Sequence, residues 1–204
     1  MFNEIIVGPQ NVNDNVVTKA RGGKGGEQIV SALRGRYAEA SMRGNLFMAQ
    51  AIVTAPVIWT TEAGTGGPLI WNGSTSVKAS VLAVGFGIKT VTTVAAAIGL
   101  TMGDGQTAAP SSTTAIDSSG NLLVGGPASK CTAYRVGTTV ANDFFLPFAD
   151  VNTGALTTTP GGIKWFDVAG MITVPPQSFV SLAASDTATT LVIEACIVWE
   201  EVPL

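Results

Sequence analysis

Apolar and polar positions alternate most regularly near the end of the chain, over residues 173–203. Leu191, Ile193, Ala195, Ile197 and Trp199 fall on one side of an extended chain. Val192, Glu194, Cys196, Val198 and Glu200 fall on the other. Successive strand side chains point to opposite faces, so one face is wholly apolar and the other carries two carboxylates, as on a half-buried sheet. The pattern predicts a long strand from about Thr189 to Glu201, central in its sheet. A strand at Ser178–Ala184 precedes it, with a polar turn at residues 185–188, and the two are expected to form a closing hairpin. Pro175 and Pro176 bar an earlier start, because proline lacks the N–H that a ladder needs.

Further strands are predicted at residues 45–54, 57–61, 68–71, 76–88, 90–100, 131–137, 143–149 and 163–174, with a turn at Asn72-Gly73. Within 76–88, Lys78, Ser80, Leu82, Val84, Phe86 and Ile88 read as sharing one face. Residues 101–128, rich in Gly, Ser, Thr and Pro, lose the alternation. They are expected to form a surface excursion with a small hairpin at Leu122–Val124. Residues 27–43 fit either a helical stripe (Ile29, Leu33, Tyr37, Ala40) or an extended lead-in, and Gly35 weakens the helix by about 1 kcal/mol. Residues 1–26 read as an arm. Its apolar patches, Ile5, Ile6 and Val7, then Val16 and Val17, could each add a strand to a sheet edge. Lys19, Arg21 and Lys24 give it basic contacts, and RGGKGG at 21–26 is a hinge.

The expected organisation is an arm and lead-in over 1–43 and a body over 44–204. Eight to ten strands with regular turn signals imply an all-β fold, an antiparallel β-sandwich, with the jelly roll the most economical arrangement and an extended N-terminal arm attached. An immunoglobulin-like sandwich is the runner-up, though it needs only about 100 residues.

Composition sharpens this. Only 12% of the 204 residues are charged and 46% are hydrophobic. Monomers rarely leave large apolar areas bare, so much of the surface is expected to be covered by protein; the alternative is an uncharged Thr/Ser surface. Residues 1–43 hold six bases and four acids, net +2, and residues 44–204 five bases and ten acids, net −5. The sequence pI of about 4.8, with no aromatics among the bases, makes direct nucleic-acid binding a poor fit. The first ten residues lack a basic stretch followed by an apolar one, so no secretion signal is expected. The most apolar window, 79–100, alternates and carries Lys89, so no membrane span is expected.

Candidate chemistry is sparse. The chain has no histidine, which removes Ser-His-Asp, Cys-His and His-metal arrangements. Two cysteines make no disulfide framework. Cys196 reads as a small buried hydrophobe. Cys131, beside Lys130, reads as a structural thiol, because neighbours on a strand point apart. Glu200 and Glu201 are adjacent and should straddle a strand end. The glycine-rich stretches at 22–26, 64–68 and 85–90 lack the ending and context of a phosphate loop. Residues 117–121 lack most acids of a calcium loop. No catalytic, cofactor-binding or metal site is expected, and the chain does not read as an enzyme.

Two stretches, LIWNGSTSVKASVLAVGFGI at 69–88 and SFVSLAASDTATTLVIEACIVWEEVP at 178–203, resemble the tumour-necrosis-factor-like jelly rolls of bacteriophage virion proteins. The leader RGGKGGEQ…RGRYAEASMRGNLFMA is similar to leaders of tailed-phage structural proteins. The resemblance covers about half the chain and rests on Gly/Thr/Val patterns. It implies a capsid decoration (cement) or related head protein, made in the host cytoplasm and located in the virion. Such proteins form trimers that bind the major capsid protein. The arm residues named above would be the anchor. Two alternatives stay open. A shell-forming coat protein would turn its arm to the genome, against which a net +2 is weak. A receptor- or glycan-binding fibre head would bind through loops 101–128 and 150–162.

Overall fold

The alternation at the C-terminal end folds as a central strand. The computed structural model describes residues 37–58, 66–90, 95–105, 110–116, 118–138, 144–151, 163–186 and 190–204. The chain divides into two compact units, Met1–Glu39 and Ala40–Leu204. Among the described residues one helical turn, α1 (Ala38–Met42), precedes twelve strands. These are β1 (Leu46–Thr54), β2 (Val57–Ile58), β3 (Leu69–Asn72), β4 (Val77–Thr90), β5 (Ala96–Gly103), β6 (Ser111–Ala115), β7 (Ser118–Asn121), β8 (Thr132–Thr138), β9 (Phe144–Val151), β10 (Lys164–Val174), β11 (Ser178–Ala184) and β12 (Val192–Pro203).

Sheet I has the order β10-β4-β12-β1-β7 and sheet II the order β6-β8-β3-β11-β5-β9; β2 runs parallel to the end of β11, and the other pairings are antiparallel. Setting aside the accessory β2, β6, β7 and β8 leaves β10-β4-β12-β1 facing β9-β5-β11-β3. The chain changes sheet at every step through these eight except from β5 to β9, which is the connectivity of a jelly roll. The core lies between the sheets. Ile193, Ile197 and Trp199 of β12 meet Phe86 of β4 and Val180 and Leu182 of β11, all almost wholly buried.

The expected closing hairpin is not one. β11 lies in sheet II between β3 and β5, and β12 lies in sheet I between β4 and β1. Each strand already has a ladder partner on both edges, so neither has an edge left for the other. Ser185 fastens the end of β11 to β5: its N–H donates to the Ala97 carbonyl at 2.9 Å, and its Oγ accepts the Ala97 N–H at 2.8 Å.

β4 also departs from simple alternation. Val198 pairs with Ala83 and Trp199 with Val81, so Leu82 is an extra residue on β4. One extra residue reverses the parity of everything beyond it. Ala79 and Val81 join the core on one side of the bulge, Val84 and Phe86 on the other. Lys78 and Ser80 therefore do not share the face of Val84 and Phe86. β10 answers at the same level with an excursion between Asp167 and Ile172. Ala169 (φ 53°) and Gly170 (φ 78°) turn it in the left-handed region, and an Asp167 Oδ1 accepts the Ala169 N–H at 3.0 Å.

Residues 101–128 hold more strand than their composition suggests. β5 runs to Gly103, β6 pairs with β8, and β7 pairs with the edge of β1. Leu122–Val124 form an exposed turn and not a hairpin strand, closed by the Gly126 N–H on the Leu123 carbonyl at 2.8 Å. Of residues 27–43, Ala38–Met42 are helical, and 27–36 lie outside the described residues, as does the arm.

β9 carries Pro147 because it is an edge strand, where a missing N–H costs no ladder bond. Its neighbour Gly99 has no room for a side chain: a Cβ there would lie 2.3 Å from the Leu146 carbonyl oxygen. Gly99→Ala is expected to force β5 and β9 apart and to cost about 2 kcal/mol or more, read as a lower denaturant midpoint.

Candidate functional site

Three rows of residues run across the outer face of sheet I. In the middle row Trp165 pairs with Gly85, Gly85 with Cys196, and Cys196 with Gln50. On one side Gly87 pairs with Glu194 and Glu194 with Ile52; on the other Ala83 pairs with Val198 and Val198 with Met48. The two glycines lower the floor between their neighbours and leave a trough of about 240 Å³, rimmed by Ile163, Lys89, Gln50 and Glu194. The Trp165 indole packs so closely on Gly85 that two of its ring atoms lie 3.1 Å from where a Cβ would stand. Trp165 as a whole nevertheless remains 59% exposed, and Ile163 is 74% exposed. The carboxylate at the rim is held within the sheet: Gln50 Nε2 donates to Glu194 Oε1 at 2.6 Å.

Cys196 lies on this face, where the alternation of β12 puts it, and is half-buried and free, not the small buried hydrophobe expected of it. Burial pushes its thiol up, the backbone at Gly85 opposes the shift through a hydrogen bond, and Glu194 adds to it. It is a neutral, partly apolar surface group.

The flank where β9 and β10 meet is the second feature. These are the outer strands of their sheets, and Phe148 and Phe166 bridge them with ring centroids 4.6 Å apart. Phe86 backs both, at 5.9 and 5.8 Å. Beyond this aromatic plug, Phe144 and Leu146 pair with Met102 and Leu100, which pack in or against the core, yet they stay 68% and 39% exposed. Interior-type surface is thus open to solvent on this flank.

At the opposite side of sheet I, Glu201 follows Trp199 on the apolar face of β12 and is 5% exposed. Its carboxylate accepts the Ser129 hydroxyl, the Lys130 N–H at 3.0 and 3.1 Å, and the Cys131 N–H at 3.0 Å. Burial, reinforced by the Glu201 charge and a hydrogen bond to it, pushes the Cys131 thiol well above its ordinary range, so it stays protonated. This cradle pins residues 129–131 to the end of β12 and is structural. Beside it a cleft of about 540 Å³ opens, walled by Ser119, Gly120, Pro127 and Thr132 and lined by no charged side chain. Among the described residues no group of three potential metal ligands comes together.

The arm residues Ile5, Ile6, Val7, Val16, Val17, Lys19, Arg21 and Lys24 lie outside the described residues. The residues at 117–121 considered for a calcium loop include the whole of β7, and Asn121 turns inward to bond the Gly44 and Pro127 carbonyls. Sequence reasoning did not single out Phe144, Leu146, Ile163 or Trp165. Their signal was faint: large apolar residues in segments that alternate poorly. Comparison with family models, curated proteins and solved structures finds no match.

Proposed function

We propose that this chain is a structural virion protein, a decoration protein that binds the major capsid protein lattice of a bacteriophage and reinforces it. One observation carries the reading. A chain with 12% charged residues folds as a jelly roll whose β9–β10 flank and adjoining sheet face expose Phe144, Leu146, Ile163 and Trp165. Clustered exposed aromatics and aliphatics mark surfaces that protein covers. The work done is mechanical: apolar faces bury against sister subunits, and the arm, through Ile5–Val7 and Val16–Val17, adds strands or ionic contacts to the lattice. Glu201, beside Cys131, serves to fasten a loop.

The test is co-sedimentation of the full-length chain with bare phage shells of major capsid protein. Saturable pelleting is the expected result. A chain lacking residues 1–26 should keep its β-sheet circular dichroism and pellet less. A full-length chain that stays in the supernatant at every ratio would overturn the reading. Assembly into megadalton particles without added shells would favour the coat-protein alternative. One observation favours the binding-head alternative: the cleft beside β7 has neutral walls, with Ser119, Asn121 and Thr132 among them. Specific retention on a glycan array would move the assignment there.

A further inference from the structure

We propose that the free edge of β7 is a docking site for an extended, uncharged segment of a partner protein, which adds to sheet I as a sixth strand. On the reading above the partner is the major capsid protein, and only that identity rests on the reading.

The register shows which backbone groups are free. The Leu122 N–H donates to the Leu46 carbonyl at 2.8 Å, and on the other side of β1 the Glu201 N–H donates to the Asn45 carbonyl, also at 2.8 Å. The ladder groups of successive residues point to alternate sides of a strand. Gly120 with Met48 and Ser118 with Gln50 therefore carry the bonds between β7 and β1, and the N–H and C=O of Ser119 and Asn121 point away from β1. Among the described residues no other backbone bond engages them. Two residues and about 7 Å apart, they repeat the donor and acceptor spacing that another extended backbone matches.

The strand count points to the same place. Counted from the β9–β10 flank, sheet I ends at β7, its fifth strand, whereas sheet II runs on to β6, its sixth. Among the described residues β6 has no strand opposite it, and a strand added beyond β7 would lie there. The cleft of about 540 Å³ opens on this side. Ser119 and Asn121 pair with Ala49 and Phe47 and share their inner face. The inward side chains of an added strand would thus enter the cleft against Phe47 and Trp199, whose rings stack 5.8 Å apart.

Sheet edges are commonly blunted by charge, proline or irregular register. β9 carries Pro147 and a register shift, β10 carries Lys164, Asp167 and its excursion, and β6 pairs irregularly with β8. β7 has none of these, and its register with β1 is regular. No residue from Ser118 to Ser129 is charged. At the end of β7 the turn Leu122–Val124 exposes aliphatic side chains, Val124 to 98%. A neutral edge, an apolar turn and a neutral cleft select an uncharged segment, because a charge buried there would find no partner.

The test uses the full-length chain and a synthetic library of random, end-blocked heptapeptides. Enriched peptides should be uncharged, with apolar or β-branched residues at alternate positions. N-methylating alternate backbone nitrogens of such a peptide should abolish binding in one of the two possible sets and spare it in the other. On binding, the Ser119 and Asn121 amides should gain protection from hydrogen exchange, while Gly120 is protected throughout. Ser119→Pro removes one outward N–H and leaves the bonds to β1, and Val124→Asp places a charge at an exposed site. Each should weaken binding tenfold or more and keep the sheet circular dichroism. Should Ser119→Pro lose it, the N-methyl series tests the ladder by itself. No enrichment, equal binding by both N-methyl sets, or a cleft that retains a glycan and no peptide would each overturn the proposal. So would Ser119 and Asn121 amides already protected in the free chain, since its own residues 1–26 or a second copy would then hold the edge. Failure of the virion reading looks different. A chain that binds the peptides and pellets with no shell sinks that reading and leaves the edge standing; shell binding unchanged by either variant does the reverse.

Discussion

Glu201→Ala is expected to lower stability by about 3–4 kcal/mol, because it strands the donors that converge on one buried carboxylate. The backbone N–H groups of Lys130 and Cys131 lose their acceptor, while the Ser129 hydroxyl keeps the Cys131 carbonyl at 2.7 Å. The two N–H groups cannot be removed by repacking, and an unsatisfied buried donor costs about 1–3 kcal/mol. The adjacent Glu200 supplies the control. It lies on the other face of the same strand and is half-exposed, so Glu200→Ala should cost less than about 1 kcal/mol. Glu201→Gln should fall between the two, since its amide keeps one acceptor oxygen but turns an NH₂ toward donors. Denaturant midpoints at constant slope check the order. A second readout is local: with the cradle gone, Cys131 should become reactive to thiol reagents under native conditions. Equal losses for the alanine variants at 200 and 201 would mean the cradle holds nothing.

That position was open to sequence reasoning. Glu201 continues the run Ile193, Ala195, Ile197, Trp199 at the same parity, so a carboxylate on the apolar face could be read from alternation alone. What it touches could not, because Ser129 to Cys131 lie seventy residues away in sequence. The same division runs through the fold. β12 was legible because eleven residues, Val192 to Val202, keep an unbroken period of two. β4 was legible as a strand and not as a face, since the extra residue Leu82 leaves no local mark until the register with β12 is known. β11 and β12 looked like a hairpin because a short polar turn joins them, whereas pairing is decided by which distant strands occupy their edges. β6 and β7 are built of Ser, Thr, Gly, Ala and Asn. Accessory strands at the sides of the sheets need backbone partners more than apolar side chains, so composition hid them. Phe144 and Leu146 have the sequence of core residues and the inner-face register of core residues. Only the limits of the opposing sheet reveal that nothing in the described part of the chain covers them.

The second large effect is expected at Asn72, the wholly buried polar residue at the end of β3. Its Nδ2 donates to the Val77 carbonyl at 2.9 Å and to the Val174 carbonyl at 3.0 Å, and its Oδ1 accepts the Ser74 N–H at 3.1 Å. Its own carbonyl accepts the Gln177 N–H at 2.6 Å, where Gln177 sits at φ 58°. One side chain thus joins the end of β3, the start of β4 and the end of β10, and so ties the two sheets together at one corner. Asn72→Ala removes three hydrogen bonds and leaves buried partners behind, at a cost of about 2–4 kcal/mol. Asn72→Asp should be worse at neutral pH despite its matching shape, since a carboxylate would face two carbonyl oxygens with no proton to offer. Acid should relieve it. Repulsion and burial raise the folded-state pKa of such a carboxyl above its unfolded value of about 3.9. The variant's relative stability is then greatest below that value and falls as pH rises through the folded-state pKa. Denaturation of the three proteins at pH 4 and pH 7 tests this. The gap between Asp and Ala variants should shrink or reverse at the lower pH. A gap independent of pH would show that the corner depends on the volume of Asn72 and not on the direction of its hydrogen bonds.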